Sequence, residues 1–110
     1  MKFYSLDSSP YKPVSHDPDL RKRVLMEERH LCVKHISHIS LEPGNSARPH
    51  IHPSESEIFY CIKGKALFKV MGKDVAMERG SCLVIEAGEE HSIDKVIEET
   101  ELLYFHAISI

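Results

Sequence analysis

Residues 44–64 read GNSARPHIHPSESEIFYCIKG, and this stretch decides the fold. His50 and His52 stand two positions apart. In an extended strand that spacing puts both imidazoles on one face, about 6.5–7 Å apart along the chain, close enough to share one ion. Pro49 and Pro53 flank the pair and hold it extended. In a helix, residues i and i+2 would point apart. Glu57 follows at the opening of an apolar run, Ile58 to Ile62, which closes on Gly64.

Outward from this stretch nearly everything reads as strand. Arg23 to Met26, Leu31 to Leu41, Ala66 to Met71, Asp74 to Met77, Ser81 to Ile85, Ile93 to Ile97 and Leu102 to Ile110 are further short apolar-rich runs. Turn signals separate them at Pro43-Gly44-Asn45, Lys63-Gly64-Lys65, Met71-Gly72-Lys73, Arg79-Gly80-Ser81 and Ala87-Gly88-Glu89. From Gly64 onward the glycines recur every 8 residues, and such even spacing predicts antiparallel hairpins in an all-β sandwich or small barrel. No segment from Leu31 onward carries apolar residues at helical spacing, although Leu20 to Arg29 has the pattern for one helical turn. Pro10, Pro13 and Pro18 among polar residues predict an extended arm over residues 1–20, without regular structure from Ser5 to Asp19. Residues 21–110 are then one barrel domain.

A chain of 110 residues that is 42% hydrophobic and 28% charged has the make-up of one globular domain, which excludes collagen-like and disordered chains. Fourteen Lys and Arg against 17 Asp and Glu give a formal charge of −3, the wrong sign for gripping a nucleic-acid backbone. The acids concentrate in Glu86 to Ile110, where Lys95 is the lone base, as expected of a solvated face. Arg21, Lys22 and Arg23 form too short a basic run for a targeting or membrane signal. Neither a signal-peptide apolar region nor 18 consecutive apolar residues occur, so the expectation is a cytoplasmic protein that does not enter a membrane. Cys32, Cys61 and Cys82 are odd in number and widely spaced, as for reduced thiols.

Gly44, five residues, His50, Ile51, His52, four residues, Glu57, six residues and Gly64 together match the first motif of the cupins in full, and the chain resembles that family. The second cupin motif is met at Gly80, Gly88 and His91, with Glu86 in place of its proline and Lys95 in place of its asparagine. The 15 residues between the motifs are similar to the spacing of small microbial single-domain cupins. The resemblance implies a double-stranded β-helix, the jelly-roll barrel, with His50, His52, Glu57 and His91 as metal ligands, and it implies a homodimer. Long apolar runs at Leu31 to Leu41 and Leu102 to Ile110, more than a small core needs to bury, point to a dimer independently.

Three imidazoles and a carboxylate suit one divalent transition metal per chain, with Mn, Fe, Ni, Co and Zn all compatible, and leave positions for water or substrate. Strand parity makes Phe59, Cys61, Tyr104 and His106 candidates for the pocket wall. Arg48, two residues before His50, is placed to meet a carboxylate at the barrel mouth. His35 and His38 fall on opposite faces of their run, and the His30, Cys32, His35 group alternates faces, so neither forms a second site. Two functions follow. One is a metal-dependent enzyme of dioxygenase, decarboxylase or isomerase type acting on a small organic acid, enol or carbonyl compound. The other is a non-catalytic module binding a sugar or small effector. No catalytic residue beyond the ligands is assigned by sequence.

Overall fold

A computed structural model describes residues 1–109. After a 3₁₀ turn at Leu6–Ser8 come strands β1 (Tyr11–Pro13), β2 (Arg21–Met26), β3 (Val33–Leu41), β4 (Ala47–His50), β5 (Glu55–Val70), β6 (Lys73–Glu78), β7 (Cys82–Ile85) and β8 (His91–Ile108). Every pairing between them is antiparallel. The all-β double-stranded β-helix expected from the sequence is the fold.

Two strands run the length of the molecule and belong to both of its layers. The first half of β5 pairs with β7 and with the second half of β8, which continues to β3, β2 and β1. The second half of β5 pairs with β6 and with the first half of β8, which also carries β4. Inward residues of the first layer (Leu41, Phe59, Leu102, Tyr104) and of the second (Ala66, Phe68, Met77, Ile93, Val96) meet in one core. Phe68 and Leu102 are fully buried, each worth about 1.5–3 kcal/mol of apolar transfer.

Several sequence expectations change here. Ile58 to Ile62 and Ala66 to Met71 are parts of one strand, β5, and Ile93 to Ile97 joins Leu102 onward as β8; Ile110 lies outside the described residues. Lys63-Gly64-Lys65 is therefore not a hairpin turn. The register slips on both sides of Lys63, and Gly64 takes φ +93° where β5 bends from one layer to the other. A Cβ at Gly64 would stand 2.2 Å from the Glu99 carbonyl oxygen and 2.6 Å from Thr100 Cα, so β8 presses directly on the bare backbone. The turn expected at Met71-Gly72-Lys73, by contrast, is a hairpin whose loop is Met71-Gly72, with φ positive at both positions. Leu20 to Arg29 is not helical, because β2 is captured between β1 and β3. The arm carries regular structure, the 3₁₀ turn and β1.

Gly64→Ala is expected to cost at least about 3 kcal/mol, since it adds a clash with immovable backbone to the φ strain. Gly80→Ala, at φ +87° with nothing within 4 Å, should cost about 1–2 kcal/mol from conformation alone. Urea unfolding of the two variants measures the difference, and equal losses would contradict the close approach at Gly64.

Candidate metal centre

The register of the long strands assembles a cluster of imidazoles around one carboxylate. β4 pairs with β8 so that His50 faces His91, and β5 pairs with β8 so that Glu57 faces His106. His52 stands two residues beyond the end of β4, not on the strand that the spacing predicted, yet its ring stays 5.0 Å from that of His50. One ligand atom from each of His50, His52, Glu57 and His91 lies within 4.8 Å of all the others, so these four residues could hold one metal ion. His50 Nδ1–H donates to the Arg48 carbonyl at 2.9 Å and His91 Nδ1–H to the Glu89 carbonyl at 3.0 Å. The first bond fixes the His50 tautomer that leaves Nε2 free for a metal, and the second would do the same for His91 once its Nε2 proton is given up.

Glu57 is buried, and its two oxygens are divided. Oε1 accepts from His91 Nε2 at 2.9 Å and lies 3.7 Å from His52 Nε2, while Oε2 accepts from His106 Nε2 at 2.9 Å. Burial alone would raise its pKa, but hydrogen bonds from His106 and His91 and the charges of His106 and His52 bring it down to about 2. His106 also donates from Nδ1 to Glu55 Oε1 at 2.7 Å, and Glu55 meets Lys34 at 2.5 Å. With both ring nitrogens donating, His106 is an imidazolium; burial opposes its charge, yet the bonds to Glu57 and Glu55 raise its pKa. His91 is raised in the same way, its burial outweighed by Glu57 and the Glu89 carbonyl. Burial dominates at the other two rings. His52 falls to about 4, and His50 is lowered as well. A second group, His52, Glu55 and His106, has ligand spacing too, but His106 has both nitrogens committed to carboxylates.

The cluster opens on a cavity of about 80 Å³, small beside the roughly 300–1,000 Å³ of sites for drug-sized ligands. Phe59 and Tyr104, stacked with ring centroids 5.1 Å apart, form its apolar wall, and His106 lines it beside Glu57. Burial and the charge of Glu57 raise the Tyr104 pKa, so its hydroxyl stays protonated. Cys61 and Arg48 are not among the lining residues. Cys61 is fully buried deeper in the core and bonds the Lys63 carbonyl. Arg48 leaves its side chain in solvent and gives Nε–H and backbone N–H to Asp17 at 3.2 Å each. His35 lies 6.0 Å from the His106 ring, and His38 pairs with Glu101 at 2.9 Å.

Sequence reasoning passed over the three ionisable lining residues of the N-terminal part: His16, Asp17 and Lys22. Buried Asp17 ties the arm to β4, which lets His16 stack on His50 with centroids 4.4 Å apart. No local signal marked His16 or Asp17. Lys22 did carry one, because it alternates with Leu20 and Val24, which are both buried.

A family model described as Cupin domain matches residues 37–107. The chain belongs to the cupin family. This cupin is 36% identical over 59 residues to the tetracenomycin polyketide synthase protein TcmJ of Streptomyces glaucescens, covering 54% of this chain and 40% of that protein. It is 35% identical over 68 residues to an oxalate-binding protein of Thermotoga maritima, covering 62% of this chain and 56% of that one. The cupin thus spans about half the length of these relatives. A crystal structure described as a predicted oxalate decarboxylase from Thermotoga maritima superposes with a TM-score of 0.85 at 23% identity, covering 98% of this chain and 100% of the other, a likeness of fold.

In the chelator-treated cupin, histidine NMR titration should show His52 changing charge near pH 4 and His106 and His91 above the ordinary value of about 6.5. The reverse order would contradict the hydrogen bonding of Glu57. A raised folded pKa means that the His106 pairing stabilises the fold fully below about pH 6.5 and is lost as pH rises through the raised value. His106→Gln should therefore cost about 2 kcal/mol in urea unfolding at pH 6 and distinctly less at pH 9.

Proposed function

We propose that this chain is a metal-dependent cupin enzyme whose ion is held by His50, His52, Glu57 and His91, and whose substrate is a small organic acid, enol or carbonyl compound. The observation that carries it is the convergence of three imidazoles and one carboxylate, two of the rings fixed through Nδ1 by backbone carbonyls, at the edge of a small apolar-walled cavity. Such a donor set fits Mn, Fe, Co, Ni or Zn. A bound divalent ion supplies Lewis acidity or, for iron, activation of dioxygen. The protein's own part is to shape the cavity: Phe59 and Tyr104 exclude water, and Glu57 as the sole anionic ligand leaves a net positive site that draws anionic oxygens. Three free cysteines suit a cytoplasmic setting. Among the described residues, no helix is long and apolar enough to cross a membrane.

A second reading, a binding module without turnover, is favoured by the oxalate-binding relative. Manganese-loaded protein tests the metal centre that both readings share, and turnover of an added acid separates them. About one ion per chain is expected, lost in the folded His50→Ala, His52→Ala double variant. The electron paramagnetic spectrum should shift when oxalate is added. A spectrum indifferent to oxalate and other bidentate oxygen ligands would end the enzyme reading, and metal retention by the double variant would move the site elsewhere.

The proposal includes a homodimer. Tyr60, Ile62 and Val84 are exposed on the outer side of β5 and β7, and the register sets Val84 beside Ile58, Ile58 beside Phe105, and Tyr60 beside Leu103. Exposed apolar groups in one patch of a sheet face mark an interaction surface. Sedimentation at about 10 µM should give a dimer, and Val84→Lys with Tyr60→Glu a monomer at least tenfold more readily, as expected for buried charges at an interface. A wild-type chain that sediments only as 12.6 kDa monomer refutes it.

A further inference from the structure

Lys22 is a lysine in a core position. It follows Leu20 and precedes Val24 on the inward side of β2, and its cross-strand partner is Ile39, which is buried in the core. Half-buried, it lines the same cavity as His52, Glu57, Tyr104 and His106. Among the described residues, no carboxylate lies within ion-pair distance of its Nζ. The other cations of this interior are matched: His106 by two carboxylates, His91 and Lys34 by one each. A half-buried ammonium that feels Glu57 only from beyond ion-pair distance is a cost to folding that an apolar residue would avoid.

From this juxtaposition we propose that Lys22 is the second anchor of the ligand and pairs with a carboxylate on a small molecule whose other oxygens face the metal. The proposal rests on the metal-centre reading above and narrows its substrate class to small dicarboxylates or similarly doubly anionic acids. Charge bookkeeping agrees. A divalent ion with Glu57 leaves one positive charge, Lys22 adds a second, and a dianion neutralises both.

Oxalate, malonate and succinate, with acetate as the single-carboxylate control, are titrated calorimetrically into manganese-loaded wild type, Lys22→Met and Lys22→Arg, with metal content measured for each. In wild type at least one dicarboxylate should bind at least tenfold more tightly than acetate. Lys22→Met should keep its metal and acetate affinity but lose that preference at least tenfold, while Lys22→Arg keeps part of it. A preference that survives intact in Lys22→Met, or the absence of any preference in metal-loaded wild type, overturns the assignment of Lys22. Failure of wild type to take up metal overturns the metal-centre reading instead. Should Lys22→Met not fold, Lys22→Gln replaces it, and the same outcomes decide. Borohydride trapping of a covalent adduct between Lys22 and a keto acid would also overturn the ion pair, because an iminium nitrogen has given up that role.

Discussion

The carboxylate of Glu57 is the group on which the arrangement depends. A charge taken out of water costs several kcal/mol unless partners replace the lost hydration. Here Oε1 takes a hydrogen bond from His91 and Oε2 one from His106. These two histidines stand at opposite ends of β8, so one side chain of β5 couples both halves of the strand that β5 pairs with along its length. His91 in turn faces His50 across the β4–β8 pair. Moving β5 or β8 by one residue would leave the buried carboxylate short of a donor, and moving β4 by one would turn His50 away from His91. Packing and polar satisfaction therefore select the same register.

How much of this was legible follows from sequence distance. His50, His52 and Glu57 lie within eight residues, and their spacing alone puts chemistry in one place. The pairing of Glu57 with His106 spans 49 residues and depends on register, which parity could suggest only as a candidate wall position. Gly64 misled for a specific reason. A hairpin glycine and a bulge glycine both need positive φ, and only the contact with Glu99 and Thr100 tells them apart. The polar stretch Glu98–Glu101 likewise looked like a break between two strands. It is the exposed bend of β8, whose Thr100 turns inward and is fully buried.

The N-terminal arm shows the opposite failure, in which local composition concealed a role. Its prolines argue correctly against a central strand, but β1 is an edge strand, where a missing N–H is tolerated. What fixes the arm is a long-range bond. Asp17 accepts from the backbone and guanidinium of Arg48, so the arginine expected to meet substrate holds the arm beside His50 instead. A reading of Arg48 by itself could not separate these roles, since a carboxylate of the chain and one of a ligand offer it the same geometry.

Five of the interior charges form an ordered series: Lys34, Glu55, His106, Glu57, His91, with sign alternating at each step in the metal-free form. Such a series is stabilised only when every member has its neighbour, because the low dielectric that strengthens each pair equally punishes a gap. The last member differs from the rest. Its Nε2 carries the proton that faces Glu57, and as a ligand of the proposed metal centre His91 would give that proton up. Nothing else in the series need change, because His106 keeps both hydrogen bonds to carboxylates and so keeps Glu57 Oε2 occupied. Oε1 is then the oxygen of Glu57 left for an ion. A network that holds one carboxylate oxygen and leaves the other on the side of three imidazoles would set out the donors of the proposed metal centre before any ion arrived, and that preorganisation is what the β5–β8 register would contribute to it.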